Sequence, residues 1–387
     1  MKSRRSERKL RKHPDALLNA HLHQDFNNDK LPTKKKLRFR LKLTKKRVIF
    51  LTVIALLLIA VIVFYFLHQQ KQNSISVPKL KAVNLLVPST LSGLPVKPSV
   101  NLRPVTAVMI ENSTDARPQS GLDQASVVFE AVAEGGITRF MALYQDSLPA
   151  YIGPVRSARP YYISWALGFD AAYAHVGGSS EGLQDIQTWG VKDMDEFYND
   201  IAYQRITSRY APHNVYTGFP QLTTLEQAKG YATSNFTGFP RKADAAAPTP
   251  KVSKIDFALS GSDYDAHFDY VTSTNSYSRS QAGAPHMVVD QNGAQKQITP
   301  KVVIAMVVPL GQGALDASNA YYSNYSTVGS GQTFVFQDGN VTLGTWTKTA
   351  NSAQISFIDS SGNVLKLNAG QTWITAVSDA GSVSYTN

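Results

Sequence analysis

The residues of this chain best suited to chemistry are four arginines, Arg117, Arg139, Arg156 and Arg159. Each lies in or beside a polar, turn-rich knot: ENSTDARPQSGLD from Glu111 to Asp123, EGGITR from Glu134 to Arg139, and GPVRSARP from Gly153 to Pro160. A guanidinium is a planar, permanently charged fork that matches carboxylate and phosphate geometry. With Glu111, Asn112, Gln119 and Ser120 as polar neighbours, the pattern points to an anion-recognition site. If the site is catalytic, Arg117, Asp123, Arg156 and Arg159 are the candidates to carry the reaction. The competing reading pairs the arginines with Glu111, Asp115, Asp123, Glu130 or Glu134 and makes them loop fasteners.

Two further groups could join the site. Gly177, Gly178, Ser179 and Ser180 stand between a predicted strand and a predicted helix. Glycines let a ligand approach the backbone, and a helix N-terminus offers free N–H groups to an anion. His175 directly precedes them, and the loop RYAPHN supplies Arg209 and His213. Either histidine could serve as acid or base, or simply as a structural hydrogen-bonder. The chain has no Ser-His-Asp order, HExxH, P-loop or GxGxxG fingerprint. No cofactor is expected and no metal-ligand spacing is present; a Mg²⁺ ion, oriented by Asp123 or Glu111, enters only with a phosphotransfer reaction.

The elements that must hold these loops alternate. Strands are expected at Val105–Ile110, Val127–Val132, Ile137–Tyr144 and Ala171–Val176. The second and third flank the turn Glu134–Gly136 as a hairpin. Helices are expected at Pro160–Leu167, with proline in the first turn, and at Glu181–Trp189, with Ser180 as N-cap. This is an α/β fold with a mixed sheet and flanking helices. Beyond TGFPRKADAAAPTP (Thr237–Pro250) the pattern changes to short strands separated by DGN and SGN turns. That predicts a smaller, mainly antiparallel β domain, with Trp346 and Trp373 in its core. The expected division is 1–47 basic tail, 48–67 membrane helix, 68–102 extended linker, 103–236 α/β domain, 237–254 linker and 255–387 β domain.

The net charge of +11 belongs to the tail. Residues 1–47 hold 17 Lys/Arg against 4 Asp/Glu, whereas the remaining residues hold 22 against 24. No nucleic-acid partner is therefore expected for the body. Val48–Leu67 has no charged residue and, at about 1.5 Å per residue, spans roughly 30 Å, the thickness of a bilayer core. With Lys42, Lys45, Lys46 and Arg47 before it, the positive-inside rule places the tail in the cytoplasm and the body outside the cell membrane, single-pass. A cleaved signal peptide is the weaker alternative. The expected partners are the membrane and an anionic envelope ligand or envelope protein. The chain contains no cysteine, which removes disulfides, thiolate metal sites and a lipidated Cys.

The strings RPVTAVMIENSTDARPQSGLDQASVVFEAVAEGGITRFMALY, IGPVRSARPYYISWA, AHVGGSSEGL, SRYAPHNVYT, SRSQAGAPH, VFQDGNVTLGTW and LNAGQTWI carry a family resemblance over about residues 100–380. The chain resembles the YerB-like lipoprotein family, a bacterial domain pair of unknown function. Members are often anchored through a lipidated Cys, which this chain lacks. The layout is more distantly similar to the LytR-CpsA-Psr wall-polymer ligases. That likeness implies transfer of a glycopolymer phosphate from a polyprenyl pyrophosphate, with arginines holding the pyrophosphate and Asp carrying Mg²⁺. By position, Arg117 with Asp123 would match the first Arg/Asp motif of those enzymes, and Arg156 or Arg159 the second. The first spacing is longer here, and no Asp follows Arg156 or Arg159.

Overall fold

A computed structural model describes residues 44–72, 85–315 and 321–387. The expected basic tail up to residue 43 and the spacer at 73–84 lie outside the described residues. The chain divides into two units, 1–81 and 82–387.

The first unit contains helix α1, Lys45–Gln72. Its uncharged stretch extends at both ends into polar turns, so the helix is longer than the apolar run that predicts it. It is long and apolar enough to cross a membrane.

The second unit is organised by a ten-stranded mixed sheet. Numbered along the chain, its strands are β1 (Thr106–Glu111), β2 (Val127–Val132), β3 (Thr138–Tyr144), β4 (Ala172–His175), β5 (Lys192–Asp195), β6 (Val302–Val307), β7 (Gly329–Gln337), β8 (Asn340–Lys348), β9 (Ser356–Asp359) and β10 (Thr372–Val377). The spatial order is β9-β8-β7-β6-β10-β2-β3-β1-β4-β5. β2, β3 and β1 are antiparallel neighbours, whereas β1, β4 and β5 run parallel. The two halves of the chain meet where β10 pairs in parallel with β2, Trp373 beside Val128 and Thr375 beside Glu130. The expected β half therefore prolongs the sheet of the α/β half. A second, five-stranded antiparallel sheet contains Lys254–Phe257, Ala266–Val271, Ser276–Gln281, Ala284–Pro285 and Val383–Thr386.

Both faces of the large sheet are covered, which explains why its central strands are mostly apolar, with Glu111, Glu130 and Arg139 as charged exceptions. Ala107, Met109, Phe129 and Met141 face one core with Tyr161, Tyr162 and Trp165 of α2 (Pro160–Leu167). Val108, Ile110, Val128 and Phe140 face the other core, with Phe219 and Leu222 of α4 (Phe219–Lys229) and Ile255, Phe257 and Phe268 of the second sheet. Trp346 and Trp373 are both core residues, as their setting in the β half predicts.

Three local expectations are revised. α3 runs Ser180–Thr188 and its N-cap is Ser179, not Ser180, because the Ser179 hydroxyl accepts from the Gly182 N–H. The expected linkers are partly docked. Leu91 is buried in the core, and Arg241 donates to its carbonyl while Arg241–Lys242 pairs with Leu367–Asn368. The strands expected on either side of the SGN turn at Ser361–Asn363 do not form a ladder with each other. β9 pairs with β8 instead, leaving only an isolated bridge from Ile358 to Val364.

Candidate functional site

The C-terminal end of β1 delivers Glu111, directly across the strand pair from Arg139 of β3. The Glu111 amide donates to the Pro154 carbonyl, and Arg139 Nη1 donates to the Ser157 carbonyl, so the arginine loop at 153–159 is pinned to both strands. His213 arrives from the loop between Tyr203–Arg205 and Val215–Thr217. Three groups meet on one oxygen of Glu111. Ser113 Oγ donates to Oε1 at 3.0 Å, His213 Nδ1 lies 3.0 Å from it, and Arg156 Nε lies 3.2 Å away in an ion pair without hydrogen-bond alignment. The other oxygen, Oε2, is buried without a partner. The Glu111 side chain is 4% exposed and that of Arg156 25%, so the carboxylate is a floor and the guanidinium a rim. Among the described residues, the terminal nitrogens of Arg156 have no hydrogen-bond partner. Burial lowers its pKa, Glu111 opposes that, and neighbouring Arg139 adds to the lowering.

Next to this rim, Glu134 holds two arginines. Arg139 bonds to Oε1, and Arg159 donates to Oε2 from Nη2 at 2.7 Å and Nε at 3.1 Å. Burial raises the Glu134 pKa, but Arg139 and Arg159 outweigh it and hold the carboxyl below its usual value. Arg159 also stacks on the Tyr322 ring at 4.5 Å. These two arginines are sealed into structure.

A third network lies beneath. Gln119 Nε2 donates to the Glu111 carbonyl (3.0 Å) and to Asn112 Oδ1 (2.8 Å), while its Oε1 meets His286 Nε2 at 2.9 Å. His286 contacts Arg279, whose Nη2 donates to both Glu130 oxygens at 2.8 and 3.0 Å. Trp373 Nε1 donates to the same carboxylate at 2.9 Å. Burial drives His286 well below its usual pKa, and Arg279 and Arg117 add to that, so its imidazole is neutral.

The predicted residues thus separate into groups. Glu111, Arg156 and His213 converge, with Arg139 and Arg159 alongside and Asn112 and Gln119 beneath. Arg117 is a loop fastener, donating to Asn112 Oδ1 and to the carbonyls of Asn112 and Asp263. Arg209 likewise donates to the carbonyls of Asp115 and Pro118. Ser120 pairs with Gly153 through its backbone, and its hydroxyl is buried without a partner. His175 is fully buried, with Nδ1 2.8 Å from the Gly177 carbonyl and Nε2 2.9 Å from Asp193. Gly177 is needed for its left-handed backbone (φ +56°), and Gly178 bridges to Ala158. Ser179 caps α3. Asp123 is not with the arginines. It pairs with Lys296 at 3.2 Å in a separate cleft of about 590 Å³ that also includes Gln124, Tyr151 and Asp290. That cleft has no arginine on its walls. The Arg/Asp set implied by the ligase likeness is therefore not assembled.

Sequence reasoning left out Ser113, Arg279 and His286 as site members. The last two lie in SRSQAGAPH, whose serines and glutamine suggest a solvent-facing strand. Burial of Arg279 depends on the second sheet stacking on the first, for which no local signal exists.

Together, Arg117, Arg139, Arg156, Arg159 and Arg279 are gathered with Glu111, Glu130 and Glu134, and Asp115 lies beside His213. This fold belongs to a defined class. Residues 91–232 match the N-terminal domain, and residues 255–374 the C-terminal domain, of the family described as "Protein of unknown function (DUF3048)". The chain belongs to this family. It is 29% identical over 328 residues to the protein named "Putative lipoprotein YerB" of Bacillus subtilis (strain 168), covering 83% of this chain and 94% of that protein. The crystal structure of the YerB protein from Bacillus subtilis aligns with a TM-score of 0.68 at 28% identity, covering 78% of this chain and all of that one.

Proposed function

We propose that this is a membrane-anchored, extracytoplasmic cell-envelope protein that binds an anionic ligand, bearing phosphate or carboxylate, at the Arg156 rim. One observation carries the reading: Arg156, 25% exposed, offers terminal nitrogens unpartnered among the described residues, its Nε held beside Glu111. A positioned guanidinium gives an anion two parallel charge-assisted hydrogen bonds. His213 sits at the same rim, with Nδ1 on Glu111 and Nε2 4.0 Å from Asp115. The anchor is α1, and the name of the YerB relative supports a membrane setting. The positive charge before the helix orients the body outward.

Calorimetric titration of the full chain in detergent with inorganic pyrophosphate at low salt tests this reading. Arg156→Ala should weaken binding about tenfold or more, the loss expected of a charged hydrogen-bonding partner, while Lys296→Ala in the separate cleft should not. Equal affinities for the parent and Arg156→Ala refute it.

A scaffold reading is favoured by a different observation. Arg139 and Arg159 are sealed on Glu134, and Arg117 and Arg209 on carbonyls. On that reading Arg156 alone faces outward toward a partner protein's carboxylate, and pyrophosphate does not bind.

A further inference from the structure

We propose that the cleft around Asp123 and Lys296 is a second binding site, for a peptide that presents a primary amine. The inference is independent of the Arg156 rim. The cleft measures about 590 Å³, within the range of small-ligand sites. Its walls come from both family domains, and ligand sites concentrate at such domain boundaries.

One wall is set by Gly121, whose left-handed backbone (φ +86°) turns the chain into the short helical turn Leu122–Gln124. A Cβ at this position would lie 3.1 Å from the Tyr151 carbonyl, so the glycine also lets the 148–151 loop close in. The other wall is the hairpin of Met287–Val289 and Gln295–Gln297. At its base the Val289 amide donates to the Gln119 carbonyl at 2.9 Å. At its tip Asp290 Oδ1 accepts from the amides of Asn292 and Ala294, at 2.8 and 2.9 Å. The hairpin is fixed at both ends, so the cleft exists before any ligand arrives.

Charge and hydrogen bonding select the ligand. The lining holds two carboxylates, Asp123 and Asp290, against one cation, Lys296. The surplus is negative, which favours a cation and opposes an anion. Asp123, its side chain 15% exposed, meets Lys296 through Oδ2 at 3.2 Å, and its Oδ1 has no hydrogen-bond partner among the described residues. Lys296 is 64% exposed, and so open an ion pair holds weakly. Its ammonium is therefore exchangeable for one that a ligand brings. The amides of Gln124, Gln291 and Gln295 add a second signal. Gln124 Oε1 accepts from Ser147 Oγ at 3.1 Å, while its Nε2 and the side-chain amides of Gln291 and Gln295 have no partner among the described residues. A side-chain amide offers a donor and an acceptor, the same pair that a peptide bond presents. Leu148, Pro149, Ala150 and Val288 complete the lining with apolar surface suited to small aliphatic side chains. A simple diamine would use the carboxylates and leave the amides and the apolar surface idle.

Calorimetric titration of the full chain in detergent tests this with four probes: acetyl-Ala-Lys-Ala-amide, its Nε-acetyl derivative, acetyl-Ala-Glu-Ala-amide, and cadaverine. The lysine peptide should bind about tenfold or more tighter than the other three. Asp123→Asn should weaken it about tenfold. Lys296→Met removes the competing ammonium and should strengthen it about threefold. Among the described residues these two side chains hydrogen-bond only to each other, and circular dichroism checks that both variants are folded. A lysine peptide that binds Lys296→Met no tighter than the parent overturns the proposal, as does unchanged affinity for Asp123→Asn. Equal or tighter binding of the acetylated peptide, the glutamate peptide or cadaverine also overturns it, and so does the absence of binding by every probe.

Discussion

Arg279 and Glu130, 149 residues apart in the chain, meet at 2.8 and 3.0 Å with both side chains sealed from solvent. Glu130 lies in β2 and Arg279 in the second sheet, so the pair fastens the α/β half to the β half directly under Gln119 and Glu111. Trp373 encloses it, with the guanidinium carbon 4.8 Å from the indole ring. The rim therefore stands on a buried charge network spanning both family domains.

Breaking that pair by removing one partner leaves an uncompensated buried charge. Arg279→Met should cost about 3–5 kcal/mol, read from urea denaturation of the chain. Adding Glu130→Leu should return part of that loss, because two well-packed apolar groups have no desolvation penalty. A single variant as stable as the parent would show that the pair contributes nothing.

Glu226 gives the body a pH dependence of known sign. It lies in α4, accepts from Thr106 Oγ1 at 2.5 Å, and burial pushes its carboxyl up to about 7 from 4.5. The folded state thus holds its proton where the unfolded state has released it. Its contribution is fully present below pH 4.5 and is lost as pH rises through 7, on the order of 3 kcal/mol. Glu226→Gln keeps an acceptor for Thr106 and removes the titration. The variant should gain stability over the parent at pH 8 and lose that advantage at about pH 4, measured by thermal unfolding. An advantage independent of pH contradicts the assignment.

The cap of α3 separates two adjacent serines. Ser179→Ala should destabilise by about 1 kcal/mol, whereas Ser180→Ala should change stability by a few tenths at most. Equal losses would place the cap wrongly.

The contrast at this cap also shows what the sequence could convey. The start of α2 follows from Pro160, and β2 from an apolar run interrupted only by Glu130, since both signals are local. Which of two neighbouring serines turns its hydroxyl back depends on the backbone left by Gly177, so the pattern alone misplaces it by one residue. The clustering of Glu111 with the arginines is visible because Glu111 ends a strand beside the first knot. The divergent fates of those arginines are not visible. Arg139 faces inward and Arg156 outward because of how the 153–159 loop is pinned to β1 and β3. The parallel pairing of β10 with β2 has no sequence signature either, because it joins segments about 245 residues apart in register only after folding. For the same reason Asp123, close to Arg117 in the chain, ends in another cleft with Lys296.

The central claim is that Arg156 is the cation presented to a ligand. A crystal of the chain soaked in tungstate, a heavy phosphate mimic, tests it directly through the anomalous signal. The account predicts a peak in hydrogen-bond contact with the terminal nitrogens of Arg156, absent from Arg156→Ala crystals. Peaks confined to the cleft of Asp123 and Lys296, or to the start of α3, would contradict it.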